Sequence, residues 1–147
     1  MLTVRQLREI ARERIKDAEA LFGAERYEGA MYICGYAVEI ALKARICKTL
    51  RWPDFPQTDS EFGGQNRKYS PFKTHLLNLL LSYSGREDQI RNRFTAHWTL
   101  MDSWDPQSRY DPPIKATRGA TRAMAKRALK AKARQVIDSA TILLRKI

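Results

Sequence analysis

From Gly29 to Leu42 the chain is almost entirely apolar or small, and Glu39 is its single charged residue. A helix with one core-facing stripe shows polar residues along its other face. This stretch does not, so the pattern predicts a helix from Glu25 to near Arg51 that is enclosed on several sides. Glu39 and Lys43 stand four apart, in the favourable order for a helical ion pair, and Gly35 leaves room for a close crossing. The preceding segment differs. Val4, Leu7, Ala11, Ile15, Ala18 and Phe22 form one stripe among charged residues, which predicts an outer helix over 4–22. Thr3 and Gln6 fit a capping box at its start and Gly23 fits its stop.

Pro53 and Pro56 end the second helix. Residues 52–70, rich in Pro, Gly, Asp, Ser, Asn and Gln, read as a long loop. Ser70-Pro71 opens a short third helix through Ser82, as an N-cap followed by proline at the first helical position. Ser84-Gly85-Arg86-Glu87 fits a second capping box and starts a fourth helix through about Met101. Three prolines mark a loop from Trp104 to Pro113. A fifth helix runs from about Thr117 to the end, with Val136, Ile137, Ala140, Leu143, Leu144 and Ile147 as its docking stripe. No segment has the period of a strand. The predicted architecture is an all-α domain over 1–147, five helices in an up-and-down bundle.

Composition adds a core and a compartment. The chain has 147 residues, 44% of them hydrophobic, which suits one globular domain. Cys34 and Cys47 fall in the same predicted helix, about 20 Å apart at ~1.5 Å per residue, too far for a disulfide. They read as small buried residues in a reducing compartment. No run approaches the length of a membrane span and the N-terminus has no apolar signal region, so a soluble cytoplasmic protein is expected.

Charge changes the picture more. The net +11 is concentrated at one end, because residues 115–147 carry ten basic side chains and one acidic one. Arg118, Arg122, Lys126, Lys130 and Arg134 recur every four residues, with Lys115, Arg127 and Lys132 beside them. No acid occurs between Asp111 and Asp138. Such a face suits phosphates, which makes Lys115, Arg118, Arg122, Lys126, Lys130 and Arg134 candidate nucleic-acid contacts. The plainer reading is a solvated face that keeps the protein soluble.

The candidate chemistry is narrow. Glu61-Phe62-Gly63-Gly64 lacks the lysine and the preceding strand of a phosphate loop. Two histidines and two cysteines, not clustered, make no zinc site, and no hydrolase signature is present; no metal or cofactor is expected. The fourth helix holds Arg91-Asn92-Arg93-Phe94-Thr95-Ala96-His97. An imidazole can take the 2′-OH proton of RNA or protonate the leaving oxygen. A guanidinium can hold the phosphate and the extra charge of its transition state. The competing reading of His97, beside Ala96 and Trp98, is a packed surface histidine. His75 reads as structural or capping. Glu39 with Lys43 reads either as an ion pair fixing helix register or as a carboxylate reaching the site around His97. Trp98, Trp104 and Tyr110, with Arg109, either stack bases or plug one end of the bundle, and packing is favoured.

Several of these residues together resemble the HEPN domains of bacteria and archaea. The resemblance rests on the paired N-terminal helices, Tyr36-Ala37-Val38-Glu39 with Ala41-Leu42-Lys43-Ala44, the long loop, Thr74-His75-Leu76, and Trp98…Trp104-Asp105-Pro106…Arg109-Tyr110. It implies an all-α bundle, usually a homodimer. Many members are metal-independent endoribonucleases of toxin–antitoxin, phage-defence or CRISPR systems. Their signature is an arginine, four to six residues and a histidine, often with a polar residue after the arginine. Carried onto this chain, it makes Arg91 the phosphate and transition-state binder, His97 the acid–base and Asn92 a supporting polar group. Other members share the Trp…Trp…Arg-Tyr element, lack the signature and serve as binding modules for a nucleotide, a nucleic acid or a nucleotidyltransferase partner. The expected partners are thus RNA or a nucleotide, a second copy of the chain, and a nucleotidyltransferase-type antitoxin.

Overall fold

The computed structural model describes residues 2–64, 67–112 and 120–147. The opening residues form a two-residue strand, β1 (Leu2–Thr3), that leads directly into α1 (Val4–Gly23). The predicted capping box is formed: Thr3 Oγ1 accepts from the Gln6 N–H at 3.2 Å, and Gln6 Oε1 accepts from the Thr3 N–H at 3.0 Å. A three-residue link, with Glu25 in the left-handed region at φ 60°, turns the chain into α2 (Tyr27–Thr49). These two helices make the most extensive pairing in the molecule.

α2 is the central element. Its buried residues run all round the helix, among them Ala30, Cys34, Val38, Ala41, Leu42 and Ile46. It packs against α1, against α4 (Leu77–Tyr83) and against the final helix, α7 (Ala120–Lys146). The expected close approach at Gly35 is made by a side chain. A Cβ there would lie 2.0 Å from the Trp104 ring, so the indole can sit on the helix only because no Cβ is present.

Among the described residues seven α-helices stand where five are predicted, and the chain remains all-α. The predicted fourth helix is two, α5 (Glu87–Arg93) and α6 (Thr95–Asp102), meeting at Phe94 with φ −128° and ψ 31°. Thr95 Oγ1 donates back to the Arg91 carbonyl, and Thr99 Oγ1 to that of Thr95 at 2.8 Å. Such threonine back-bonding bends helices, and Phe94 turns its ring toward the core. Ser84 makes no capping box; its hydroxyl accepts from the Arg86 N–H at 3.1 Å and donates to Leu81 O.

The third helix begins at Leu77 instead of Ser70. Residues 67–72 form a 3-10 turn around Pro71, and the Leu76 N–H donates to Thr74 Oγ1 at 3.1 Å, leaving His75 in the link between them. Residues 52–70 are also more ordered than a plain loop. β2 (Asp54–Phe55) pairs antiparallel with β1, Leu2 opposite Phe55, and α3 (Asp59–Gly63) follows under its own Thr58–Glu61 capping box. Alternation cannot reveal strands of two residues, which have no period to read. Phe55 and Phe62 join Leu7, Ala44 and Cys47 in a small second core.

Candidate nucleic-acid interface

α7 divides into two halves. From Ala133 onward it packs into the core through Ala133, Val136, Ile137, Ala140 and Leu143. Residues 121–132 are exposed on every side except at half-buried Leu129. Alanine and long straight-chain residues have high intrinsic helix propensity, so this arm can stay helical with little packing. It carries Arg122, Lys126, Arg127, Lys130 and Lys132. Lys115 and Arg118 lie outside the described residues, as does the predicted start near Thr117.

The expectation that this helix lacks compensating acids is corrected by the fold. Lys126 Nζ donates to Glu25 Oε2 at 2.8 Å, and Arg134 forks onto Glu19 at 2.9 and 2.5 Å while also reaching Asp138. The acids come from α1 and its link, far away in sequence. The bond from Arg134 holds the Glu19 carboxyl below its ordinary range, and Lys126 does the same for Glu25. Arg134, held by Glu19 and then Asp138, keeps its proton more tightly than usual. Arg122, Arg127, Lys130 and Lys132 make no such bond among the described residues, although the Lys130 charge adds to the lowering of Glu25.

Lys132 borders a cleft of about 690 Å³ between the start of α2, α7 and residues 100–112. Arg26, Arg109, Tyr32 and Trp104 also line it, with Glu28, Asp105 and Asp111 as its acids. Trp104 is anchored: its Nε1 donates to the Tyr32 carbonyl at 3.0 Å and its ring meets Tyr36 edge-on at 5.0 Å. Tyr110 is 73% exposed, with the Arg109 guanidinium 4.7 Å from its ring centre. Packing therefore describes Trp98 and Trp104, whereas Tyr110 presents its face to solvent.

The signature residues fall on two helices with separate partners. On α5, Arg91 Nε donates to Glu87 Oε1 at 3.0 Å and Nη2 to Asn78 Oδ1 at 2.9 Å. The same Asn78 oxygen accepts from buried Trp98 Nε1 at 3.0 Å, and its amide donates to Asp102. Asn92 is exposed. On α6, half-buried His97 pairs through Nδ1 with the hydroxyl of buried Ser139 on α7, at 2.9 Å. No hydrogen bond joins the Arg91 group to His97 among the described residues.

Glu39 does not reach His97. One of its oxygens accepts from Lys43 Nζ at 2.6 Å, as the ion-pair reading expects, and the other meets His75 Nδ1 at 2.9 Å. Glu39 is buried, whereas the His75 side chain is 57% exposed, so a fixed carboxylate orients an imidazole whose other nitrogen makes no hydrogen bond among the described residues. Tyr36 packs edge-on to that ring. Sequence spacing could not reveal this pair, because 36 positions separate its members. Asn78 and Ser139 are hidden for the same reason, their partners lying 13 to 42 positions away.

Cys34 and Cys47 are buried free thiols, pushed up to about 12 and about 11 by burial. Among the described residues no cluster of His, Cys, Asp and Glu has the make-up of a metal site, and no helix is long and apolar enough to cross a membrane. The model of the HEPN domain matches residues 4–56, which hold α1, α2 and β2. No curated protein and no solved structure matches the chain. The chain is thus an all-α, HEPN-like bundle protein, its family likeness carried by the α1–α2 pair.

Proposed function

We propose that this protein is an RNA-interacting HEPN module that holds the ribose-phosphate backbone on the exposed arm of α7. The supporting observation is that arm: Arg122, Arg127, Lys130 and Lys132 are exposed and make no hydrogen bond or ion pair with an acid among the described residues, Lys130 acting on Glu25 only through its charge. Lysine and arginine side chains that are not committed to internal pairs exchange counterions for phosphates, the main source of affinity for nucleic acid. The neighbouring cleft adds Arg26, Arg109 and aromatic surface, a combination suited to single strands whose bases are free to stack. Lys126 and Arg134 serve a different role, tying the arm to α1 through Glu25 and Glu19. Replacing Arg122, Arg127, Lys130 and Lys132 together by alanine is expected to weaken binding of a single-stranded RNA by a hundredfold or more at low salt, read by fluorescence anisotropy. Unchanged affinity would remove the proposal.

A second reading makes the protein a metal-independent endoribonuclease. It is favoured by the Arg91-Asn92…His97 spacing together with the Ser139 bond, which fixes one nitrogen of His97 and leaves Nε2 for proton transfer. Arg91 would hold the phosphate and Asn92 support it. With Arg91 and His97 on separate helices, catalysis would use two such sets facing each other in a homodimer. The reading predicts RNA cleavage in the presence of a chelator, with His97→Ala and Arg91→Ala each losing a hundredfold or more in rate while still unfolding cooperatively as folded proteins. His75→Ala is the control and should cleave normally. Cleavage lost with His75→Ala and kept with His97→Ala would move the chemistry to the Glu39–His75 pair.

A further inference from the structure

A groove of about 520 Å³ opens at the other end of the bundle from the α7 arm, between the first half of α1, the end of α2 and the end of α7. Its floor is aliphatic. Ala11 and Ala41 are small and buried, and Ile15 and Leu144 stand half-buried beside them. Ala11 and Ile15 are one turn apart on α1, and Leu144 comes from the last turns of α7, so the floor runs between two helices. About 18 residues of α7 separate Arg127 from Arg145, or roughly 27 Å of helix, so this is not a continuation of the arm.

The rim is strongly basic. Arg8 and Arg12 come from α1, Arg45 and Lys48 from α2, Arg86 from just before α5, and two further cations from the end of α7. Ile147 also lines the groove and brings the terminal carboxylate, one negative charge against those seven. The Nε groups of Arg45 and Arg86 are buried without a hydrogen-bond partner among the described residues. The bond that Arg86 makes with a side chain goes to a neutral acceptor, Gln89 Oε1, at 2.7 Å. Burial, then the nearby charges of Arg86 and Arg8, lowers the pKa of Arg45. Cations this close repel, and carboxylates relieve them best, since a guanidinium fork binds both oxygens of one.

The lining separates the anions that could answer such a surface. A compact phosphate meets the charge and leaves the aliphatic floor uncovered. A nucleic-acid strand needs rings on which its bases stack, and no aromatic side chain lines the groove. A second copy of the chain carries the same net charge of +11 and is repelled. An acidic amphipathic helix meets both requirements, because helices lay apolar anchors into grooves at spacings of three and four residues and carry their charges beside them. We propose that this groove docks a short acidic helix of another protein, an aliphatic side chain on the floor and its carboxylates on the arginine rim. The surface goes beyond the RNA-binding arm proposed above and uses none of its residues.

Fluorescence anisotropy and thermal melting of the full chain test this with a labelled peptide of about 14 residues, roughly four helical turns. The peptide is built from glutamate, alanine and leucine, with its leucines recurring at the spacings of one helix face. It should bind and raise the melting temperature, as a ligand of the folded state does. Changing its leucines to serine at unchanged charge should weaken binding about tenfold or more. Arg8→Gln with Arg12→Gln should do the same, and both arginines are exposed on α1, so the core of that variant is untouched. Arg122→Ala with Lys130→Ala should bind the peptide as wild type while losing RNA, which separates this surface from the arm. The proposal is overturned if the serine peptide binds as tightly as the leucine one, because the rim then attracts charge alone. Wild-type affinity in the Arg8/Arg12 variant would overturn it equally. Tripolyphosphate or oligouridylate that displaces the peptide as efficiently as unlabelled peptide does would assign the groove to phosphates and sink the proposal. So would a dimer of the wild-type chain that the peptide dissociates, since a second copy then covers the surface.

Discussion

Asn78 is a short side chain with three partners, and much of the geometry around the candidate signature depends on it. Its oxygen accepts from Arg91 and from buried Trp98, and its amide donates to Asp102. Asn78→Ala would leave the Trp98 N–H buried and unpaired, which costs about 2 kcal/mol, and would free the Arg91 guanidinium to move. Chemical denaturation should show that loss of stability; an unchanged midpoint would mean that water replaces the amide. Gly35 is constrained in the opposite way. Gly35→Ala places a methyl group inside the Trp104 ring, so the indole must leave its seat and its bond to Tyr32. A loss of about 3 kcal/mol and a red shift in tryptophan emission are expected. Both residues show what a sequence hides. Gly35 reads correctly as a place of close approach, but the approaching group is a tryptophan 69 positions on. Asn78 reads as nothing more than a polar residue on an apolar helix.

At the scale of elements, local rules succeed where one helix carries its own signal. The Thr3 box, the stripe of α1 and the all-round apolar surface of α2 each follow from neighbouring residues, and each is present in the fold. The break at Phe94 has no proline or glycine to announce it and depends on a threonine bonding backwards. The basic helix shows the same limit, since the acids that pair with Lys126 and Arg134 lie on α1 and the link after it. Those acids give the arm a pH dependence. Glu19 and Glu25 have carboxyls held below their ordinary value of 4.5 by Arg134 and Lys126. A lowered carboxylate stabilises the fold above its unfolded pKa and loses that contribution as pH falls through the folded one. Acidification from 4.5 downward should therefore release the first half of α7 before the core unfolds. Hydrogen exchange at residues 121–132 should rise there while exchange in α2 does not. Equal protection of the arm at pH 7 and pH 3 would contradict the tethering.

For the whole molecule, charge is sorted by end and by purpose. The core of α2 pairs its one buried carboxylate with Lys43 and bonds it to the His75 ring. α1 and the link after it tether the middle of α7, the α7 arm keeps exposed cations in solvent, and the opposite end gathers cations around a cavity. A net charge of +11 thus reflects two separate surfaces instead of a uniformly basic protein. The central claim concerns the first of them, and its most direct test is the salt dependence of RNA binding. For a single strand, log K falls with log salt by about 0.7 per phosphate neutralised, so four contacts from Arg122, Arg127, Lys130 and Lys132 predict a slope near −3. Replacing all four by alanine should bring the slope close to zero along with the affinity. A wild-type slope that survives those replacements would place the RNA elsewhere on the molecule and contradict the assignment of the arm.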